Sequence, residues 1–195
     1  MKKAISMLLV LVLLLMMMTI CAAGAMAESV SSKTTNDTTS SSAAIEVIAT
    51  SDAAGTSEER AIEAANDCAD RLFQAAQTAD GDAQQLTRSI TEIIGNVQSL
   101  EQQRTTVEAL PEFSAEEALT VDVVVPAQVT SGTGTISDQT RTYTSDDKFV
   151  VLFQADGSEL FIQLEAEIGA DGNIVVKIPD DLNGVFGVIV VVSAK

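Results

Sequence analysis

The chain has no histidine and no tryptophan, one tyrosine, three prolines and two cysteines in 195 residues. The missing imidazole excludes Ser-His-Asp and Cys-His nucleophile systems and every histidine-ligated metal site. The scarcity of aromatic rings argues against a carbohydrate-active cleft, where sugars stack on exposed aromatics. Basic residues are also few, 11 against 28 acidic, for a net charge of −17. Such a chain repels nucleic acid and anionic lipid, so no nucleic-acid partner is expected. The acidity suits colloidal solubility. Of the two cysteines, Cys21 lies in an apolar leader, which leaves Cys68 alone in the body. No internal disulfide framework is open to it, and the fold must rest on packing.

What the chain does have, first of all, is that leader. Lys2 and Lys3 precede an apolar run from Ala4 to about Ile20, followed by small residues ending in Ala25-Met26-Ala27. This is the layout of a secretory signal peptide, with Ala25 and Ala27 at the minus-three and minus-one positions of the cleavage site. The expected localisation is therefore outside the cytoplasm, secreted or at the cell surface. An uncleaved anchor is the rival reading, because counting on to Ala27 approaches the roughly 20 apolar residues of a membrane span. Membrane contact then rests on this segment alone. Thr19-Ile20 before Cys21 is a poor fit to the small residues that precede a lipidated cysteine. Cleavage after Ala27 leaves about 168 residues, nine of them basic against the same 28 acidic ones, a net charge of −19. That length serves one or two small domains.

The remaining chain divides by composition. Residues 28–57 are rich in Ser, Thr and Ala and too polar to offset the entropy of ordering, so a flexible stalk is expected there. Within it, Ala44 to Ala49 alternates enough to add as an edge strand to a later sheet. Residues 58–110 read as a helical hairpin. Ile62, Ala65, Ala69, Leu72, Phe73 and Ala76 share one arc at 3.6-residue spacing, with Cys68 on its flank and Ser57 as N-cap. Thr78 to Asp82 breaks the pattern, with Asp82 placed to cap a second helix. That second amphipathic run uses Leu86, Ile90, Ile93, Ile94, Val97, Leu100 and Val107, and Pro111 ends helical character. Two helices with one apolar stripe each need a further surface to cover them. It is either the β region or a second copy of the chain, a homo-oligomer through the hairpin.

Residues 112–195 read as β structure. Strands are expected at Val121–Val125 (ending at Pro126), at Ile136–Thr144 as a Thr-rich edge, at Lys148–Phe153, at Leu160–Leu164, at Ile174–Ile178 and at Val185–Val192. Gly132 and Gly134 mark a turn. The tripeptide Ala-Asp-Gly at Ala79, Ala155 and Ala170 reads as reused turn chemistry. The last run is apolar on both faces, as befits a central strand covered on each side by the facing sheet and by the hairpin. The expected fold is α+β: an N-terminal helical hairpin followed by a C-terminal antiparallel β-sandwich.

Three constellations carry candidate chemistry. Acidic loop residues at strand ends, Asp146-Asp147, Asp156 with Glu159, Asp171 with Asn173, and Asp180-Asp181, could converge on calcium. Asp156, Glu159, Asp171, Asp180 and Asp181 are the candidate ligands, although Asp171-Gly172-Asn173 lacks the later acids of a complete loop, and Asp and Gly are the preferred turn residues in any case. Glu165 with Glu167, and Glu116 with Glu117, are carboxylate pairs of the kind a glycoside hydrolase uses. Alternation instead marks Glu165 and Glu167 as the solvent face of a strand. Cys68 is either a packed thiol or an intermolecular disulfide between hairpins, and no histidine exists to activate it as a nucleophile. No residue set carries a family assignment. The function expected is that of a secreted or envelope-associated, non-enzymatic binding or structural protein, its partner an unknown protein or surface ligand. A carboxylate-dependent extracellular hydrolase and a calcium-stabilised adhesive module are the alternatives. No cofactor other than Ca²⁺ is entertained.

Overall fold

Thr56 stops the extended chain and starts the first helix. Its hydroxyl accepts the Glu59 N–H at 3.3 Å, while the Glu59 carboxylate reaches back past the cap to the Gly55 N–H, which sets the N-cap one residue ahead of the Ser57 expected. Helix α1 (Ser57–Ala79) ends at Asp80, which takes the left-handed conformation at φ 44°, with Gly81 next at φ 84°. Asp82 then accepts the Gln84 and Gln85 N–H groups and opens α2 (Ala83–Ile94). These helices belong to a computed structural model that describes residues 42–50, 53–94, 117–138 and 141–194. The leader with Ala25 and Ala27, residues 28–41, the second half of the expected hairpin (Val97, Leu100, Val107, Pro111) and Glu116 lie outside the described residues.

Seven strands take the antiparallel order β1-β2-β7-β4-β5-β6-β3: β1 (Ile45–Val47), β2 (Leu119–Val129), β3 (Gly132–Ile136), β4 (Phe149–Ala155), β5 (Phe161–Ile168), β6 (Ile174–Ile178) and β7 (Val185–Ala194). The ladder is one continuous, nearly barrel-shaped sheet, because β5 pairs with β4 through Phe161–Leu164 and with β6 through Glu165–Ile168, carrying the hydrogen bonds round a corner. The α+β composition holds.

Alternation along the central strands builds two cores. Val150, Leu152, Val188, Val190 and Val192 face the helices, where they meet Ala65, Cys68, Ala69, Leu72 and Ile90. Val151, Phe153, Ile189 and Val191 face the other way, into the sheet's interior with Val125, Ile174 and Val176. Strand β7 is covered on both faces and lies between β2 and β4, as its two-sided apolar run demands. Ile90 is 2% exposed and Ile93 packs beside it, so the second helix turns this stripe toward the sheet.

Four local expectations are corrected. The segment 42–48 falls inside the expected stalk but belongs to the sheet, as the edge strand read at Ala44–Ala49: Ile45 is fully buried in the interior core and β1 pairs with β2 at the sheet's edge. Strand β2 does not stop at Pro126. Its carbonyl accepts from Ile48 at 3.0 Å, so the missing N–H also points to the β1 side and the β2–β7 ladder loses nothing. Gly132 to Ile136 is a strand and not a turn, paired with β6, while 141–148 is irregular. Finally, α1 buries Ala61, Ala65, Cys68, Ala69, Leu72, Ala75 and Ala79, leaving Ile62 and Phe73 half-buried at the flank. Small residues let the helix axis approach the sheet, and Cys68 moves from the flank to the contact.

Candidate functional site

Strand β2 carries a register shift between Val121 and Val123 where it pairs with β7. The residue in the bulge is Asp122, an acid in the middle of a valine run. Leu119, Val121 and Val124 face the helices, whereas Val123 faces the interior, so Asp122 and Val123 both lie on the interior side of the bulge, at one end of the sheet. There it is 3% exposed. A buried carboxylate needs donors, and the irregular segment between β3 and β4 supplies them. Arg141 Nη1 donates to Asp122 Oδ2 at 2.8 Å and to Ser193 Oγ at 2.6 Å, and Tyr143 Oη donates to Asp122 Oδ2 at 3.1 Å. Arg141 Nη2 donates to Asp147, whose other oxygen accepts from the Thr144 N–H at 2.7 Å and the Thr144 hydroxyl at 2.9 Å. The guanidinium also lies over the Tyr143 ring, 4.8 Å from its centre, and Phe149 tilts against that ring at 5.8 Å.

The electrostatics come from this geometry. Burial works against the charge on Arg141, but Asp122 and the bond to Asp147 outweigh it and hold the guanidinium above its usual range. Burial, then the neighbouring Asp122 and Asp138 charges, push the Tyr143 phenol well up. The Thr144 N–H, the Thr144 hydroxyl and Arg141 hold Asp147 below the ordinary carboxylate range. Tyr143 is fixed from a further side: its N–H donates to the Gly172 carbonyl at 3.0 Å. Gly172 has φ 77°, and a Cβ there would stand 2.2 Å from Thr142 Cγ2, so the β5–β6 turn and this segment interlock. Chemically the group is a lock. Its one cation is divided between two carboxylates and a hydroxyl, and its phenol is a hydrogen-bond donor far from its ionised form.

Of these residues the sequence reading singles out Asp147 alone, with Asp146 as an acidic turn, and it does not mark the group as a site. Three signals distinguish them in hindsight: Asp122 inside an apolar strand, Arg141 as the sole arginine of residues 112–195, and Tyr143 as the sole tyrosine of the chain.

The residues that the sequence does single out are spread over the molecule. Asp156 is held by Arg60, Nε to both carboxylate oxygens at 3.2 and 2.9 Å, tying α1 to the β4–β5 turn beside Glu159. Asp180 and Asp181 form a 3₁₀ turn (Asp180–Leu182) before β7 at that same end of the sheet. Asp171 lies at the opposite end, where the Asn173 N–H and amide hold its pKa down. Among the described residues no group of three or more Asp, Glu, His or Cys is placed to hold a metal ion. Glu165 and Glu167 are exposed on β5, and Glu165 pairs across the strands with Lys177 at 3.1 Å. Glu117 pairs with Lys148 at 2.7 Å. Cys68 is a buried free thiol, pushed up to about 12 chiefly by burial. A bridge to a second chain from that position requires the helix to leave the sheet.

Among the described residues no helix is long and apolar enough to cross a membrane. Comparison with known proteins found no family model that matches the chain, no curated protein that matches it and no solved structure that matches it.

Proposed function

We propose that this is an exported, non-enzymatic protein that acts by binding or structural association at the cell envelope or in the medium. The observation that carries the reading is the use made of the buried polar groups. Arg141, Tyr143 and Ser193 are spent on Asp122 and on each other, so the buried charged constellation around Asp122 serves the fold. The signal-peptide layout of residues 1–27 adds the address, and the Ser/Thr-rich stretch behind it is the spacer that sets the folded body off a surface. The partner is a protein or surface ligand met on the exposed acidic faces.

The test is fractionation of the native host with intact-mass measurement of the chain. The expected product is an extracellular or envelope-associated species whose N-terminus lies near Glu28. Full-length chain with its leader, recovered from the cytosol, overturns the export. A screen of polysaccharides and peptides addresses the other half of the reading. Turnover that disappears in Glu165→Gln replaces it with a hydrolase.

A further inference from the structure

Asn183-Gly184 is the only Asn-Gly pair in the chain, and it lies exposed at the entry to β7. With no Cβ on the residue after the asparagine, little hinders the Gly184 nitrogen from swinging onto the Asn183 side chain. The chemistry open to the pair is intramolecular. The Gly184 nitrogen attacks Asn183 Cγ and forms the N–Cγ bond of a five-membered imide. The Gly184 amide proton goes to solvent, and Nδ2 takes up a proton and leaves as ammonia. Water then opens the ring at either carbonyl, giving aspartate, or isoaspartate with the main chain rerouted through the side chain. The net change is one water gained and one ammonia lost.

The fold holds this site shut. Ring closure needs the Gly184 nitrogen eclipsed with Asn183 Cβ, and Asn183 at φ −60°, ψ 120° turns it away. The Gly184 N–H donates to the Val129 carbonyl at 2.8 Å, and the Gly184 carbonyl accepts from Gln128 Nε2 at 3.3 Å. Asn183 Oδ1 accepts the Ser131 N–H at 3.2 Å, so the amide under attack is tied to the link between β2 and β3. Leu182, 3% exposed, anchors the residue before it in the interior core. We propose that Asn183-Gly184 is a deamidation site latched by the end of β2, and that conversion requires Gly184 to leave Val129 in the same opening that exposes its amide to exchange. The two products differ in consequence. Aspartate keeps an acceptor for Ser131, whereas isoaspartate lengthens the backbone ahead of β7, a strand paired along both sides. The site stands independently of where the protein is delivered and of what it binds.

The test holds the folded full chain and the same chain unfolded in urea side by side in warm, mildly alkaline buffer. The gain of one mass unit on the peptide carrying Asn183 is followed in time, and hydrogen exchange at the Gly184 amide is measured on the folded protein. The unfolded chain is expected to convert at Asn183, with Asn173 before the β-branched Ile174 unchanged, and the folded chain to convert more slowly by about tenfold or more. That slowing should equal the slowing of exchange at the Gly184 amide, because one opening gates both. Gln128→Ala, which loses one bond to Gly184, should raise both folded rates together by about two- to threefold. An unfolded chain that does not convert overturns the site. Folded conversion as fast as unfolded, or slowed far less than Gly184 exchange, overturns the latch. Should Gln128→Ala fail to fold, the wild-type comparison still decides.

Discussion

Arg141→Met separates the buried lock from its surroundings. Methionine keeps much of the stem's bulk and removes all five N–H donors. It leaves Asp122, with a side chain 4% exposed, deprived of the 2.8 Å partner that neutralises it. Breaking one side of a buried ion pair costs about 3–5 kcal/mol. The Tyr143 hydroxyl stays on the same oxygen, which puts the loss at the lower end, about 3 kcal/mol. Asp147 adds little, since its side chain is 22% exposed and keeps both Thr144 donors. A loss of about 3 kcal/mol lowers Tm by roughly 6–12 °C in a chain of this size. The assay is urea unfolding followed by circular dichroism on wild type, Arg141→Met, Asp122→Asn and the double variant. If the stranded charge is the cause, removing it makes the arginine nearly dispensable, and the cycle returns a coupling of about 2 kcal/mol. A loss under about 1 kcal/mol for Arg141→Met, or a coupling within about 0.5 kcal/mol of zero, refutes the reasoning.

Gly187→Ala places a Cβ 2.2 Å from the Gln154 carbonyl and 2.6 Å from the Phe153 ring. Backbone has to shift between β4 and β7, and unfolding titrations should show a loss of about 2–4 kcal/mol, with wild-type stability refuting the contact. Cys68, buried with its thiol raised to about 12, should react with a disulfide reagent at pH 8 only at the rate of unfolding; fast stoichiometric labelling of the native protein contradicts its position. Asp147 has a folded pKa below its unfolded value, so its contribution is present above pH about 4 and drains as pH falls through the folded pKa; Asp147→Asn should flatten the acid limb of Tm against pH. Millimolar Ca²⁺ should leave Tm unchanged, because Asp156 is held by Arg60 and Asp171 lies at the other end of the sheet; a rise of several degrees restores the calcium reading.

The parts of the fold legible in the sequence are those governed by one periodicity. The run Val185–Val192 is apolar at every second and every intervening position, which only a strand covered on both faces can satisfy, and β7 has helices on one side and the interior core on the other. The breaks at Asp80-Gly81 and Asp82 act through local backbone chemistry and are equally visible. The helical arc reads Ala65, Ala69 and Leu72 where they are, but it includes Ile62 and Phe73, which stay half-buried, and it misses Ala61 and Ala75 and puts Cys68 on the flank. A valine-lined sheet accepts a close helix, and hydrophobicity alone does not distinguish a small contact residue from a large flanking one. Gly132 and Gly134 resemble a turn in any local reading. Their role as strand residues depends on Ile45, some ninety positions earlier, needing the room at Gly134. The buried lock is illegible for the same reason, since Arg141 meets partners 19 and 52 residues away.

The bulge in β2 shows how the sequence turns a liability into a constraint. Strict alternation from Leu119 and Val121 would send Val123 to the helices and Val124 to the interior. The extra residue changes the frame after Asp122, so that Val123 joins it on the interior side and Val124 takes the helix side, while the acid sits at the sheet's end, where the segment after β3 can reach it. There Arg141 Nη1 and the Tyr143 hydroxyl donate to Asp122, Ser193 of β7 shares Nη1, and Asp147 takes Nη2. An irregular segment whose one buried side chain is Tyr143 is thereby fixed in one place by hydrogen bonds to Asp122 and Ser193 as well as by that ring. For a body whose only described cysteine is a packed thiol, this does the tethering that a disulfide does in small disulfide-bonded domains. It also directs the search for a binding surface away from this end of the sheet, because a partner that engaged Arg141 would have to strip the buried Asp122 of its counter-charge.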